Sequence, residues 1–174
     1  MIFLYLDKIK YKVLSLLFNE ISALRIIYKV TIGKECRLKN NNYGSEPYLI
    51  SFGDYVSAIN VDFITHDGAI WIFRKKNPNI DLLRSINIKS DIYIGNKTTI
   101  LPGSTIESNV IVGACSLVKG TLKSGYVYAG IPAKMICSIE EYYEKNKKFL
   151  IQTKNYSYKN KKKFIMELRK NNLI

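Results

Sequence analysis

From Ile88 to Lys123 the apolar and polar positions repeat every six residues. Ile88, Ile94, Ile100, Ile106, Val112 and Val118 open successive hexads, and Ile92, Thr98, Ser104, Val110, Ser116 and Leu122 stand four residues after each. A helix cannot use this pattern. A six-residue step turns it by about 600°, which scatters the aliphatic column over three faces. Gly95, Pro102, Gly103, Gly113 and Gly120 would break such a helix as well. In a strand, six is a multiple of two, so the column stays on one side. The pattern predicts a parallel β-helix of short flat strands, with one aliphatic residue per hexad pointing inward.

Three hexads form one triangular coil, and the longer period can be checked independently. Gly95 falls under Gly113, Ile92 under Val110, Thr98 under Ser116 and Lys89 under Glu107. Like meets like, or opposite charges meet on neighbouring strands. Ser104 under Leu122 is the mismatched pair, where the repeat is expected to end.

An earlier block carries the same rule less strictly. Ile26 with Val30 and Ile32 with Cys36 fit it, and Leu38 follows in register. Asn40, Asn41, Asn42, Tyr43 and Gly44 read as a turn or short loop. Register resumes at Ile50, Phe52, Gly53 and Val56, then frays from Ala58, with Asp62 in an inward slot and Ile64 closing the block. Residues 67–87 have no hexad pattern and read as a long excursion loop, the kind of interruption that carries function. The segment 124–136 leaves the coil, and two helices follow, with Ser138 and Ser157 as N-caps. The predicted division is an N-terminal helix over 1–25, a β-helix over 26–136 with loop 67–87, and a helical tail over 137–174.

The N-terminal helix, expected over about 3–24, lacks the basic n-region and small-residue cleavage site of a signal peptide. Asp7, Lys8, Lys10, Lys12, Glu20 and Arg25 interrupt it too often for a membrane span. Two readings stay open. It caps the end of the coil, or it lies in a membrane interface through Phe3, Leu6, Val13 and Leu17.

Composition narrows the partners. The chain of 174 residues has three cysteines, Cys36, Cys115 and Cys137, without CxxC spacing, which points to free thiols in a reducing compartment. Cys36 takes a small inward position. The net charge is +13, and residues 138–174 hold ten Lys and Arg against four Asp and Glu. Lys145, Lys147, Lys148, Lys159 and Lys161 to Lys163 sit on what read as solvated helices, so no nucleic-acid partner is expected. Attraction to cofactor phosphates or to an anionic lipid surface is the alternative use of that charge.

The only histidine, His66, stands where regular repeat meets the excursion, in Thr65-His66-Asp67-Gly68. Imidazole is the side chain best suited to general-base work near neutral pH. One histidine cannot supply the three ligands of a zinc-dependent β-helix enzyme, so no metal is expected.

These residues carry a resemblance. Ile94-Gly95-Asn96-Lys97-Thr98-Thr99-Ile100-Leu101-Pro102-Gly103-Ser104-Thr105-Ile106, Val112-Gly113-Ala114-Cys115-Ser116-Leu117-Val118 and Ala129-Gly130-Ile131-Pro132-Ala133-Lys134 resemble the IGxxxxILPGVTI, IGAGSVV and AGNPAK stretches of the hexapeptide-repeat acetyltransferases. Thr65-His66-Asp67-Gly68-Ala69-Ile70-Trp71 is similar to the THDGxxW signature of capsule and O-antigen O-acetyltransferases. The likeness covers about residues 26–145. Lys89 and Glu107 depart from the usual glycine, Cys115 from a frequent glycine, and Ile131 from the asparagine of AGNPAK.

The resemblance implies a left-handed parallel β-helix, an all-β fold flanked by helices. It implies a cytoplasmic homotrimer with active sites between subunits, acetyl-CoA as donor, and a sugar or saccharide hydroxyl of surface polysaccharide as acceptor. It makes His66 the base. Asp67 either orients the imidazole or caps its own turn. Trp71, Phe73 and Arg74 are candidates for gripping the sugar ring and a phosphate, or else Trp71 and Phe73 pin the loop to the coil or to a neighbouring subunit. Gly113 and Ala114 match residues that let a backbone approach the pantetheine arm. Ala129, Gly130 and Lys134 match the segment near the nucleotide, and Lys119 either joins them or is merely solvated. Amino-sugar N-acetylation and serine O-acetylation are the rival reactions. A β-helix scaffold or peripheral membrane module is the non-enzymatic rival.

Overall fold

The computed structural model describes residues 2–171 and 173, without the side chains of residues 2–5 and 8. It divides into two compact units, one ending at Ile139 and the other beginning at Glu140.

The first unit opens with α1 (Ile2–Leu17) and α2 (Glu20–Ile27). One helix was expected and two are found, because Asn19 breaks the run. Its side chain accepts a hydrogen bond from Ser22 N and caps α2. Ile26 therefore lies in α2, half exposed, and the coil begins later, near Val30.

The strands are β1 (Thr31–Ile32), β2 (Arg37–Lys39), β3 (Ile50–Phe52), β4 (Val56–Ile59), β5 (Asp62–Phe63), β6 (Ile86–Ile88), β7 (Ile92–Ile94), β8 (Thr99–Ile100), β9 (Thr105–Ile106), β10 (Val110–Val112), β11 (Leu117–Val118), β12 (Thr121–Leu122), β13 (Tyr126–Ala129) and β14 (Lys134–Ser138). They form three sheets, the faces of a triangular coil. The first runs β1-β3-β6-β9-β12, the second β2-β4-β7-β10-β13-β14 and the third β5-β8-β11. All pairings are parallel except β13 with β14. Ile92 pairs with Val110, Ile94 with Val112, Ile88 with Ile106 and Ile100 with Val118, the predicted eighteen-residue register.

Three departures have simple causes. Asp62 points out while Val61 and Phe63 are buried, because the third side of that coil is one residue short. Phe63, not Ile64, pairs with Ile100. At the other end Leu122 pairs with Ile106 rather than lying over Ser104, because the last coil is two residues shorter. Glu107 consequently meets Lys123 Nζ at 2.9 Å and accepts from Ser124 N at 3.0 Å. Finally, residues 126–129 continue the coil as β13, and only β14 turns back.

The interior is a column of Ile50, Phe52, Val56, Ile86, Ile88, Ile94, Ile100, Ile106, Val112 and Val118, each at most 2% exposed. The small inward positions carry hydroxyls that return to corner carbonyls: Thr98 and Ser116 donate to Gly113 O, and Ser104 to Leu101 O. Cys36 does the same with its thiol toward Gly53 O. Such bonds remove the penalty of a buried hydroxyl.

Two of the three corners bend through left-handed residues. Glu35, Tyr55, Asp91 and Asn109 recur at one, Asn40, Asn60, Lys97 and Cys115 at the other. The third corner uses Gly103 and Gly120, and it is there that the excursion leaves the coil.

The N-terminal end of the coil is closed by α2. Ala23 and Leu24 are fully buried, Glu20 accepts from Asn40 N and the Tyr43 hydroxyl, and Arg25 donates to Ile32 O and Gly33 O. Beneath it Tyr43, Phe63 and Phe52 form an aromatic plug, with Tyr43 stacked on Phe63 at 5.6 Å.

The second unit holds most of α3 (Ile139–Asn146) and all of α4 (Tyr158–Lys170). Ser157 caps α4 by accepting from Asn160 N, and Tyr156 packs edge-on against Phe164.

Candidate active site

Coil stacking assembles the site. Residues Asn41 to Tyr43 form the third side of the first coil, with Asn41 Oδ1 accepting from Val61 N and its amide donating to Ala58 O. Gly44 then turns the chain at φ +66, and Asn42 Oδ1 accepts its N–H. This sets Ser45 and Glu46 at the corner directly beneath Thr65 and His66. Thr65 is fully buried, and its hydroxyl donates to Glu46 Oε2 at 2.9 Å. The same carboxylate oxygen stands 3.2 Å from His66 Nδ1, with Ser45 Oγ at 3.4 Å.

A carboxylate only accepts, so in the neutral imidazole it favours the tautomer with the proton on Nδ1 and the lone pair on Nε2. The His66 side chain is 46% exposed and that of Glu46 is 18% exposed. The imidazole is thus reachable while the carboxylate beside it is sheltered. Sequence reasoning missed Glu46. Asp67, expected as a possible partner, accepts from Ala69 N and caps the 3-10 helix Gly68–Phe73.

The excursion is pinned at its root. His66 forms a bridge with Leu83, Asp67 N donates to Leu82 O, and Arg84 N donates to Thr65 O. A concave pocket of about 300 Å³ results, lined by Glu46, His66, Trp71, Arg74, Asp81 and Leu83 among others. Trp71 is 69% exposed, with the Arg74 guanidinium 6.0 Å from its ring centre. Arg74 pairs with Asp81 and donates from Nε to Ile80 O. Phe73, on the same helix, is outside the pocket lining and is 56% exposed.

The other singled-out residues lie elsewhere on the coil. Gly113, Ala114, Ala129 and Gly130 sit at the corner between the second and third faces. Leu117 N donates to Gly130 O, and Gly130 N to Ser116 Oγ. The glycine column does not leave open space. A Cβ on Gly95 would fall on the Ala114 backbone, and one on Gly113 would come 2.9 Å from the Ala129 Cβ. The next coil fills the column. Lys134 is exposed in β14. Lys119 shares the His66 corner two coils on, since Ile64 N bonds to Ile100 O and Leu101 N to Val118 O.

Among the described residues, no group of three or more His, Cys, Asp or Glu could hold a metal, and no helix is long and apolar enough to cross a membrane.

No protein-family model matches the chain. Among curated proteins, it is 42% identical to protein CapG of Staphylococcus aureus over 147 residues, covering 82% of this chain and 86% of CapG. It is 39% identical over 122 residues to Escherichia coli WbbJ, assigned by its name to lipopolysaccharide O-acetyl transfer. That match covers 68% of this chain and 55% of WbbJ, so the chain spans about half of that relative. Among solved structures, a hexapeptide-repeat acetyltransferase of Vibrio cholerae complexed with acetyl coenzyme A superposes with a TM-score of 0.59 at 19% identity, covering 78% of this chain and 88% of that one. The coil, its register and the extent of the CapG match lead to one conclusion: the chain belongs to the hexapeptide-repeat acetyltransferases and is built on their left-handed parallel β-helix.

Proposed function

We propose that the chain transfers the acetyl group of acetyl-CoA to a hydroxyl of a sugar in surface polysaccharide, with His66 as general base. The carrying observation is the Glu46–His66 contact of 3.2 Å beside the pocket that also holds Trp71. His66 Nε2 takes the acceptor's proton as its oxygen attacks the thioester carbonyl. The tetrahedral adduct collapses and expels the CoA thiolate, which recovers the proton from the imidazolium. Glu46 stabilises that transient cation and fixes the ring. Trp71 offers an exposed aromatic face for a sugar ring. The names of WbbJ and of the Vibrio cholerae complex support the acceptor and donor classes.

Gly113, Ala114, Ala129 and Gly130 line the donor's path, with Lys134 and Lys119 as exposed cations for its phosphates. Gly113 serves chiefly to let coils stack. That corner and the His66 corner lie on opposite edges of the third face, separated by about six residues of extended chain, roughly 20 Å. A neighbouring subunit that apposes its donor corner to this His66 closes the gap, which supports a homotrimer with interfacial sites. The free cysteines fit the cytoplasm.

The test is acetyl transfer to a panel of nucleotide sugars and oligosaccharides, read by mass spectrometry, with matched amino and hydroxyl acceptors. Transfer to a sugar hydroxyl that His66→Ala reduces by about 10²–10⁴-fold supports the assignment. Near-wild-type turnover in that variant, or exclusive use of amines or serine, overturns it.

A further inference from the structure

The outward face of α1 is an exposed apolar stripe. Leu6, Ile9, Val13 and Leu16 follow the i, i+3, i+7, i+10 spacing of one helical face and are 44%, 44%, 50% and 86% exposed. Leu17 widens the stripe at 72% exposed. The opposite face carries Tyr11, whose ring lies 5.3 Å from that of Tyr28, together with Asp7 and Leu14, all partly buried. The side that meets the protein and the side that meets solvent are therefore both apolar. Phe3, which the sequence also assigned to the membrane-facing side, has a side chain outside the described residues.

Charge is arranged around the stripe. At 100° per residue Lys10 falls on one flank and Lys12 on the other, and both are exposed. The sole acidic residue of α1 is Asp7, on the inward face. We propose that α1 docks this protein on an anionic lipid surface, its stripe entering the headgroup–acyl boundary and Lys10 and Lys12 reaching lipid phosphates. A stripe of this width, flanked on both sides by long cationic side chains, is the arrangement that lies in a bilayer interface. Sixteen residues with interspersed charge are too few to span.

The main competitor is a second copy of the chain. A two-fold pairing of the stripe would bring lysine flanks together with no carboxylate on that face to answer them. Anionic headgroups answer every one of them, and the chain's net charge of +13 adds long-range attraction. The division between the two helices fits this role: α2 closes the coil, and α1 is left to face outward.

The full-length protein is mixed with phosphatidylcholine vesicles, with and without phosphatidylglycerol, and bound protein is measured by flotation. The expected result is binding to the anionic vesicles that weakens with salt. Val13→Glu with Leu16→Glu should reduce it at least about tenfold, and Lys10→Gln and Lys12→Gln about fivefold each. Circular dichroism and transfer to a soluble acceptor should stay at wild-type levels, since these side chains face solvent. The proposal is overturned if the Glu variants float like wild type, or if neutral and anionic vesicles bind equally. It is also overturned if the Glu pair lowers the sedimentation coefficient of the lipid-free protein, which would assign the stripe to a second copy.

Discussion

Glu46 Oε2 lies 3.2 Å from His66 Nδ1 and 2.9 Å from the hydroxyl of the fully buried Thr65. One oxygen thus ties the imidazole to the scaffold. Thr65 sets where the carboxylate points, and the carboxylate sets where the imidazole points.

Glu46→Gln keeps the shape and removes the charge. If His66 is the general base, the imidazolium formed during transfer then lacks its counter-charge, so kcat should fall by about 10–10²-fold, less than for His66→Ala, with acceptor KM little changed. Nitrogen-15 spectra of the imidazole should report the Nδ1-protonated tautomer in wild type and a mixture in the variant. An unchanged kcat with a single tautomer would show that Glu46 only supports Thr65.

Gly95 and Gly113 are spacing devices between coils. A methyl group on Gly95 collides with the Ala114 backbone, which cannot swing away as a side chain would. Gly95→Ala should cost about 1–3 kcal/mol and lower Tm by several degrees. Gly68, with open space around its missing Cβ, is the control: Gly68→Ala should leave Tm nearly unchanged. Equal Tm values in the two variants would refute the spacing role.

The contrast between these glycines and Glu46 marks what the sequence could reveal. The hexads from Ile88 to Val118 are legible because inward alternation and coil length agree, and the pairs Ile92–Val110 and Ile100–Val118 follow. Where a side gains or loses residues, the pattern misleads. Asp62 looks inward by counting six, yet Phe63 is the buried neighbour. Leu122 looks like a small-position residue, yet it sits over Ile106. Glu46 was hidden for a related reason. The first coil is longer, since Thr31 pairs with Ser51, Arg37 with Ser57 and Asn42 with Asp62. Glu46 stands at that same twenty-residue offset from His66. Extending the offset past the Asn40–Gly44 turn is the signal that finds it.

Tyr43 gives the fold an alkaline limit. Burial, reinforced by the nearby Glu20 carboxylate, holds its phenol well above the ordinary tyrosine range, although the Asn41 amide opposes the shift. Tyr11 and Tyr28 are raised as well, burial again leading. A folded-state pKa above the unfolded value gives stability that is complete below about pH 10 and is lost as pH rises further. Thermal midpoints should therefore fall above pH 10. Tyr43→Phe removes the bonds with Glu20 and Asn41 and should cost about 1 kcal/mol at pH 7. It should also flatten the alkaline decline. A decline as steep as in wild type would assign the limit to other groups.

Substitutions at Trp71 and Asp81 test acceptor binding apart from stability. Trp71 is 69% exposed, so Trp71→Ala loses little packing and should leave Tm within about 1 °C. If its ring carries the sugar, acceptor KM should rise about tenfold, the loss of roughly 1.4 kcal/mol, while the acetyl-CoA KM stays fixed. Arg74 is already paired with Asp81, and its guanidinium stands over the indole. That arrangement makes Arg74 a brace for Trp71 more than a free cation for a phosphate. Asp81→Asn loosens the brace, so it should raise acceptor KM in the same direction by a smaller factor. Combined with Trp71→Ala it should add little, because both act through one ring. Additive effects of the two substitutions would instead mean that Asp81 holds an Arg74 that binds the acceptor directly.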